Sequence, residues 1–188
     1  MELYKPFDFL SIDECQEIIQ YGKTHKLVDS EVEVDVTTNY PANLDKSIRK
    51  SKQCWLHDKK YHKKISNLFK KFDKKLLLDE PPNIIFYKPN DFFGWHADHL
   101  IFKQRHWFRL RDFERVLSLT IELQPASNSG LYFDYRRNPN IPRTHDYKPV
   151  PLKQGQAIVF TSKDMHRVAN AGKETRISLV AWGSSLVK

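Results

Sequence analysis

A chain of 188 residues that is 40% hydrophobic and 13% aromatic has enough apolar material for a buried core, which excludes a disordered chain. No apolar run approaches the length of a membrane span, and Met1-Glu2-Leu3-Tyr4-Lys5 lacks the basic and apolar segments of a secretory signal, so no membrane partner and a cytoplasmic location are expected. Two thiols, Cys15 and Cys54, exclude a disulfide framework, while the net charge of +8 admits nucleic acid or an acidic partner.

In chain order, Ser11-Ile12-Asp13-Glu14 is a capping box that opens a helix, with Leu10 and Cys15 placed as a hydrophobic staple. Cys15, Ile18 and Ile19 mark its buried stripe, and its end is expected near Gly22. Val32, Val34 and Val36 alternate with acidic residues, as on a half-exposed strand. Tyr61, Ile65, Leu68, Phe69, Phe72 and Leu76 recur at helical spacing, with lysines between them, and Pro81-Pro82 closes that helix. The basic stretch 57–75 is therefore read as the solvated face of an amphipathic helix, and Lys outnumbers Arg, so nucleic acid is disfavoured as a partner.

From Ile84 onward the pattern is β. Strands are expected at 84–87, 93–98, 116–123, 131–134, 157–160, 166–170 and 176–182. The polar segment 134–149 reads as a long loop, and 99–114 does so in part. The fold class is mainly β with flanking α, a sandwich or barrel with the N-terminal helices packed outside. One domain is expected over 1–188, with 1–82 as helical and strand support and 83–188 as the β core.

The chemistry-bearing segments are Gly94-Trp95-His96-Ala97-Asp98 and His166-Arg167-Val168, followed by Arg176 in Thr175-Arg176-Ile177-Ser178-Leu179. Two His and one carboxylate with open positions beside them suit a non-haem Fe(II) oxygenase site. On a strand, His96 and Asp98 would share one side. His166, from another strand, would be the third ligand. Arg176 offers a planar fork that matches a carboxylate. The remaining His25, His57, His62, His99, His106 and His145 are read as surface or loop residues.

With these residues in view, the chain resembles the Fe(II)/2-oxoglutarate-dependent dioxygenases, specifically the prolyl 4-hydroxylase-like family. The resemblance runs from Phe9-Leu10-Ser11 almost to the C-terminus. It includes Arg49-Lys50-Ser51 with Trp55-Leu56, Tyr87 ahead of His96, Arg115-Val116-Leu117-Ser118-Leu119-Thr120, Gly130-Leu131-Tyr132-Phe133, and Pro151, Gly155 and Phe160. It implies a double-stranded β-helix, a jelly-roll or cupin-like core. It implies Fe(II) on His96, Asp98 and His166, with O2 and 2-oxoglutarate as co-substrates and ascorbate as a candidate reductant. The far carboxylate of 2-oxoglutarate would meet Arg176, Tyr87 and Ser118. Substrate would meet Arg115 and Trp182. The chain departs from the family at Asn90, where Gly is usual, and at Ser129-Gly130, where a Gly pair is usual. Some members carry a second Tyr where Glu122 stands here.

Hydroxylation of a prolyl residue in a peptide or protein is the expected reaction, with the arginines of the 134–149 loop favouring acidic flanks. An AlkB-like nucleobase demethylase is the alternative that the basic charge would suit. Such enzymes place the co-substrate Arg further beyond the distal His, with a second Arg after it, where this chain has Gly183-Ser184-Ser185-Leu186-Val187-Lys188. Hydroxylation of a free amino acid is a further alternative. A non-catalytic ligand-binding barrel is disfavoured by the complete ligand set.

Overall fold

The computed structural model of the chain describes residues 2–30, 47–78, 80–106, 109–134, 149–170 and 172–187, without the side chains of 104–110. The strand expected at Val32–Val36 and the loop residues 135–148, with His145, lie outside the described residues. So do the side chain of His106 and the loop arginines Arg136, Arg137 and Arg143.

The capping box forms as its residue types dictate. The Ser11 amide donates to Glu14 Oε2 at 2.9 Å, and the Glu14 amide donates to Ser11 Oγ at 3.1 Å. Helix α1 then runs over Ile12–Thr24 and buries Cys15, Ile18 and Ile19. It passes through Gly22 and ends at Thr24, so Gly22 is not its cap. A Cβ at Gly22 would stand 2.8 Å from the Phe86 ring, and the glycine serves this close approach of helix to sheet. Helix α2, Lys59–Phe72, starts on Asp58, which accepts from the Lys60 amide at 2.7 Å, and buries Tyr61, Ile65, Leu68 and Phe69. Two lysines of its basic face bridge back to α1, Lys60 to Glu17 and Lys64 to Glu14.

Twelve strands follow the chain among the described residues: β1 Phe7–Asp8, β2 Val28–Asp29, β3 Arg49–Lys50, β4 Lys52–Trp55, β5 Asn83–Tyr87, β6 Phe92–His96, β7 Ile101–His106, β8 Arg109–Gln124, β9 Ser129–Phe133, β10 Gln156–Thr161, β11 His166–Asn170 and β12 Arg176–Leu186. The larger sheet has the order β1-β10-β8-β12-β5-β4-β2, with β7 paired to β8. The smaller has the order β3-β6-β11-β9. Every strand pair is antiparallel. This mainly β architecture with two helices outside is the expected jelly roll. Much of the segment 99–114, read as part loop, is instead the β7–β8 hairpin. Its many charged residues hid the pairing.

Period-two alternation divides the core. Ile84 and Phe86 of β5, Leu117 to Leu123 at alternate positions of β8, and Ile177, Leu179 and Ala181 of β12 face the helices in one apolar cluster. Ile85, Tyr87, Leu131, Phe133, Ile158, Phe160 and Val168 form a second cluster between the sheets. A Cβ at Gly183 would meet the Phe69 ring at 2.9 Å, so this glycine lets α2 lie close on β12. Asn90, where the resembled family has Gly, adopts φ 65°, a left-handed conformation that Asn tolerates, and its amide donates to Asn170 O at 2.8 Å. Among the described residues no helix is long and apolar enough to cross a membrane.

Candidate metal centre

His96 and His166 are direct register partners on β6 and β11, so strand pairing alone brings their rings to 4.1 Å between centroids. Strand β6 ends at His96, and Asp98 lies beyond it in chain without regular structure. The shared-face argument for the pair therefore does not apply; the turn of the chain does the same work. Asp98 Oδ1 comes within 3.5 Å of His96 Nε2, and Oδ2 within 3.5 Å of His166 Nε2. One donor atom from each of the three lies within 4.8 Å of the others, a set that could hold a metal ion.

Each imidazole is fixed through its other nitrogen. His96 Nδ1 is 2.8 Å from Gly94 O, and His166 Nδ1 is 2.9 Å from Asp164 O. A carbonyl only accepts, so Nδ1 of each ring carries a proton, and Nε2 is the nitrogen turned toward Asp98. Phe93 stacks on His96 at 3.4 Å, and Phe160 meets His166 edge-on at 4.8 Å. Burial, with His96 beside it, pushes the His166 imidazole down to about 4, so it is neutral at neutral pH. Burial would push Asp98 up, but His166, His96 and the nearby Ser118 hydroxyl together hold it well below the usual carboxylate range. A neutral imidazole at His166 and an ionised carboxylate at Asp98 are states that a cation requires.

These groups stand on the wall of a cavity of about 320 Å³ that also exposes Tyr87, Thr120, Arg115, Trp182, Arg49 and Asn83. Tyr87 is buried and is the register partner of Arg176. The Arg176 guanidinium lies 5.6 Å from the Tyr87 ring centre. Arg176 is itself buried and donates from Nε and Nη2 to Glu122 Oε2, at 3.1 and 2.8 Å. Burial pushes Glu122 up despite the pull of Arg176. Arg115 is buried at the cavity, donates to Glu80 at 2.8 Å and lies 4.1 Å over the Trp182 ring.

Two residues sit differently from the sequence reading. Ser118 is buried against Ser162, 3.0 Å away, while Thr120 on the same face of β8 reaches the cavity wall. His99, read as a surface or loop residue, lies in the loop after β6 but is half-buried on that wall, with Nε2 3.3 Å from Glu114. The sequence reading also missed a polar string across three strands. Arg49 donates to Gln53 Oε1 at 3.3 Å, and Asn83 donates to the same oxygen at 3.0 Å. Position-by-position alternation on β5 and β8 carried the signal for Asn83 and Thr120.

A family model described as the 2OG-Fe(II) oxygenase superfamily matches residues 82–184, more than half of the chain. The chain belongs to that superfamily. Among solved structures, a viral collagen prolyl hydroxylase from Paramecium bursaria Chlorella virus-1, in its 2OG complex, is similar with a TM-score of 0.62 at 18% identity, over 98% of this chain and 97% of that one. A prolyl-4-hydroxylase from Pseudomonas putida has a TM-score of 0.62 at 18% identity, over 96% and 91%. A prolyl hydroxylase from Trichoplax adhaerens, in complex with a hypoxia inducible factor oxygen degradation domain peptide, has a TM-score of 0.55 at 15% identity, over 95% and 82%. At such identities these likenesses concern the fold. No curated protein matches the sequence.

Membership of this oxygenase superfamily implies Fe(II), 2-oxoglutarate and O2. The residues present fit the metal, because one ring nitrogen from each of His96 and His166 and an Asp98 oxygen lie within 4.8 Å of one another. They fit a keto acid as well. Arg176 Nη1, on the register partner of the cavity residue Tyr87, is buried and has no hydrogen-bond partner.

Proposed function

We propose that the chain is a 2-oxoglutarate-dependent hydroxylase whose substrate is a prolyl residue in a peptide or protein. The observation that carries the reading is the convergence of His96 Nε2, His166 Nε2 and Asp98 on the wall of a cavity beside Tyr87. Those three hold the iron in this reading, and the Nδ1 bonds to Gly94 and Asp164 orient the imidazoles toward it. Ser118, paired with Ser162 on the inner face of β8, favours the ionised form of Asp98. Arg176 and Tyr87 receive the far carboxylate of 2-oxoglutarate, with Leu131, Val168 and Val180 along its methylenes. Iron with 2-oxoglutarate and O2 supplies the oxidising power that ends as succinate, CO2 and a hydroxyl group on substrate.

Arg115 and Trp182 form the substrate side. Arg115 holds the indole by its cation–π contact, and the indole gives a flat apolar wall for a pyrrolidine ring. Trp182 Nε1 and Asn83 Oδ1 are both buried, both on residues of this wall, and both without a hydrogen-bond partner. One donor and one acceptor match the two polar groups of a peptide unit. The reading takes 1–188 as one oxygenase domain, since β4 and β2 extend the same sheet as β5 and β12.

The test is a panel of proline-containing peptides, differing in flanking charge, incubated with enzyme, Fe(II) and 2-oxoglutarate. Mass spectrometry should find one added oxygen on proline. Arg115→Ala should slow that coupled reaction and spare the slow uncoupled loss of 2-oxoglutarate. No hydroxyproline with any peptide, alongside repair of methylated single-stranded DNA, would move the assignment to the nucleobase alternative.

A further inference from the structure

A buried pair, Arg176 and Glu122, lies beside the cavity rather than on its wall. Arg176 and Glu122 are 1% and 3% exposed, so neither is hydrated by bulk water. Their pairing is one-sided. Arg176 places both Nε and Nη2 on a single oxygen, Oε2, where a forked pair would use both oxygens. Arg176 Nη1 and Glu122 Oε1 are left buried without hydrogen-bond partners. Such orphans are rare in finished protein interiors and point to a missing ligand. The pair adjoins the cavity, since Tyr87 beside Arg176 and Thr120 on the Glu122 face of β8 both line it.

A keto diacid brings a second carboxylate to this place. With Glu122 ionised, two carboxylates would share one guanidinium in a desolvated site, and one added proton removes the excess negative charge. The other titratable groups around Glu122 cannot relieve it. Tyr87 on β5 and Cys15 on α1 are both pushed up by burial and stay neutral.

We propose that Glu122 is a co-substrate-binding residue that works as the neutral acid, donating its O–H to the far carboxylate of 2-oxoglutarate while Arg176 offers Nη1 to the same group. The proton comes from solvent onto Glu122, and no bond of the co-substrate changes. Burial already lifts Glu122 above the ordinary carboxylate range, with Arg176 opposing, which makes the protonated form accessible. This rests on the 2-oxoglutarate reading and goes beyond it, because a lone cationic clamp binds a carboxylate without taking up a proton.

The experiment is calorimetric titration of the Mn(II)-loaded protein with 2-oxoglutarate, without O2, in buffers of different ionisation enthalpy and across pH. The expected result is uptake of about one proton per ligand on the alkaline side, with affinity falling roughly tenfold per pH unit there. Glu122→Gln should abolish the uptake and the slope, and should bind more tightly than wild type at high pH, since its amide donates without a proton from solvent. The comparison separates this proton from any released at the metal. Binding without proton uptake in the wild type, a measurement that needs no variant to fold, overturns the role of Glu122 alone. So does uptake that survives in Glu122→Gln. Binding unchanged in Glu122→Gln but lost in Arg49→Gln overturns it too, and moves the clamp to Arg49. No binding of 2-oxoglutarate at all overturns the proposed function together with this inference.

Discussion

Strands β5, β8 and β12 have two faces: the outer is apolar, and the inner mixes apolar side chains such as Ile85 and Val180 with most of the polar ones. The outer face carries Ile84, Phe86, Leu117, Leu119, Ile121, Leu123, Ile177, Leu179 and Ala181. The inner face of the same strands carries Asn83, Tyr87, Ser118, Thr120, Glu122, Arg176 and Trp182. Among the described residues, four of the buried polar atoms without partners are on that inner face: Asn83 Oδ1, Glu122 Oε1, Arg176 Nη1 and Trp182 Nε1. Burying a polar group without a partner is unfavourable, so a sheet shaped for stability alone would be apolar on both faces. In the proposed function, the outer face folds the protein and the inner face receives the ligands.

The comparison can be broken by exchanging the consequences of substitution between the faces. The largest effect is expected at the metal centre. His96→Ala, Asp98→Ala and His166→Ala should each reduce turnover to background and weaken metal binding, while circular dichroism still reports a folded chain. Full activity in any of them, with iron supplied, would remove that residue from the ligand set.

Next comes Arg176→Ala, which should weaken 2-oxoglutarate by roughly 2–5 kcal/mol and leave metal affinity nearly unchanged. Tyr87→Phe should move in the same direction by less. Equal 2-oxoglutarate affinity in wild type and Arg176→Ala would place the clamp elsewhere.

On the outer face the pattern should invert. Leu119, fully buried under the helices, should lose about 2–5 kcal/mol of unfolding free energy on replacement by Ala. Its folded fraction should bind metal and 2-oxoglutarate as the wild type does. A drop in ligand affinity comparable to that of Arg176→Ala would contradict the division of labour.

The smallest effect concerns Cys15, in the same outer cluster. Burial, reinforced by Glu14, pushes its thiol up to about 11. The unfolded chain releases that proton nearer the ordinary thiol value of about 9, so this contribution to stability is full below pH about 9 and fades as pH rises toward about 11. Urea midpoints at rising alkaline pH should fall less in Cys15→Ala than in wild type. Alkylation of native Cys15 at mildly alkaline pH should be far slower than in the urea-unfolded chain.

Local signals were the legible ones. The Ser11–Glu14 capping box forms both of its hydrogen bonds, and 166–170 is a strand with those limits. The alternation of Ile177 and Leu179 with Arg176 and Ser178 marked β12. His96, Asp98 and His166 were picked by residue type and do come together, yet the strand ends before Asp98, so backbone direction rather than pleat brings it in. What escaped the sequence is non-local. Nothing near Glu122 announces that it lies 2.8 Å from Arg176 across the β8–β12 pair. Nothing near Arg49 announces Gln53 and Asn83 as its neighbours on the wall. Gly22 looked like a helix end because its packing partner, Phe86, is far away in sequence.

The most direct measurement is anomalous diffraction from crystals grown without O2 in the presence of Mn(II) and 2-oxoglutarate. The account predicts a single strong peak within coordination distance of His96 Nε2, His166 Nε2 and an Asp98 oxygen, with 2-oxoglutarate density running from it past Tyr87 to Arg176. A peak bound by other residues, or crystals that take up the metal with no peak at these three, would contradict it.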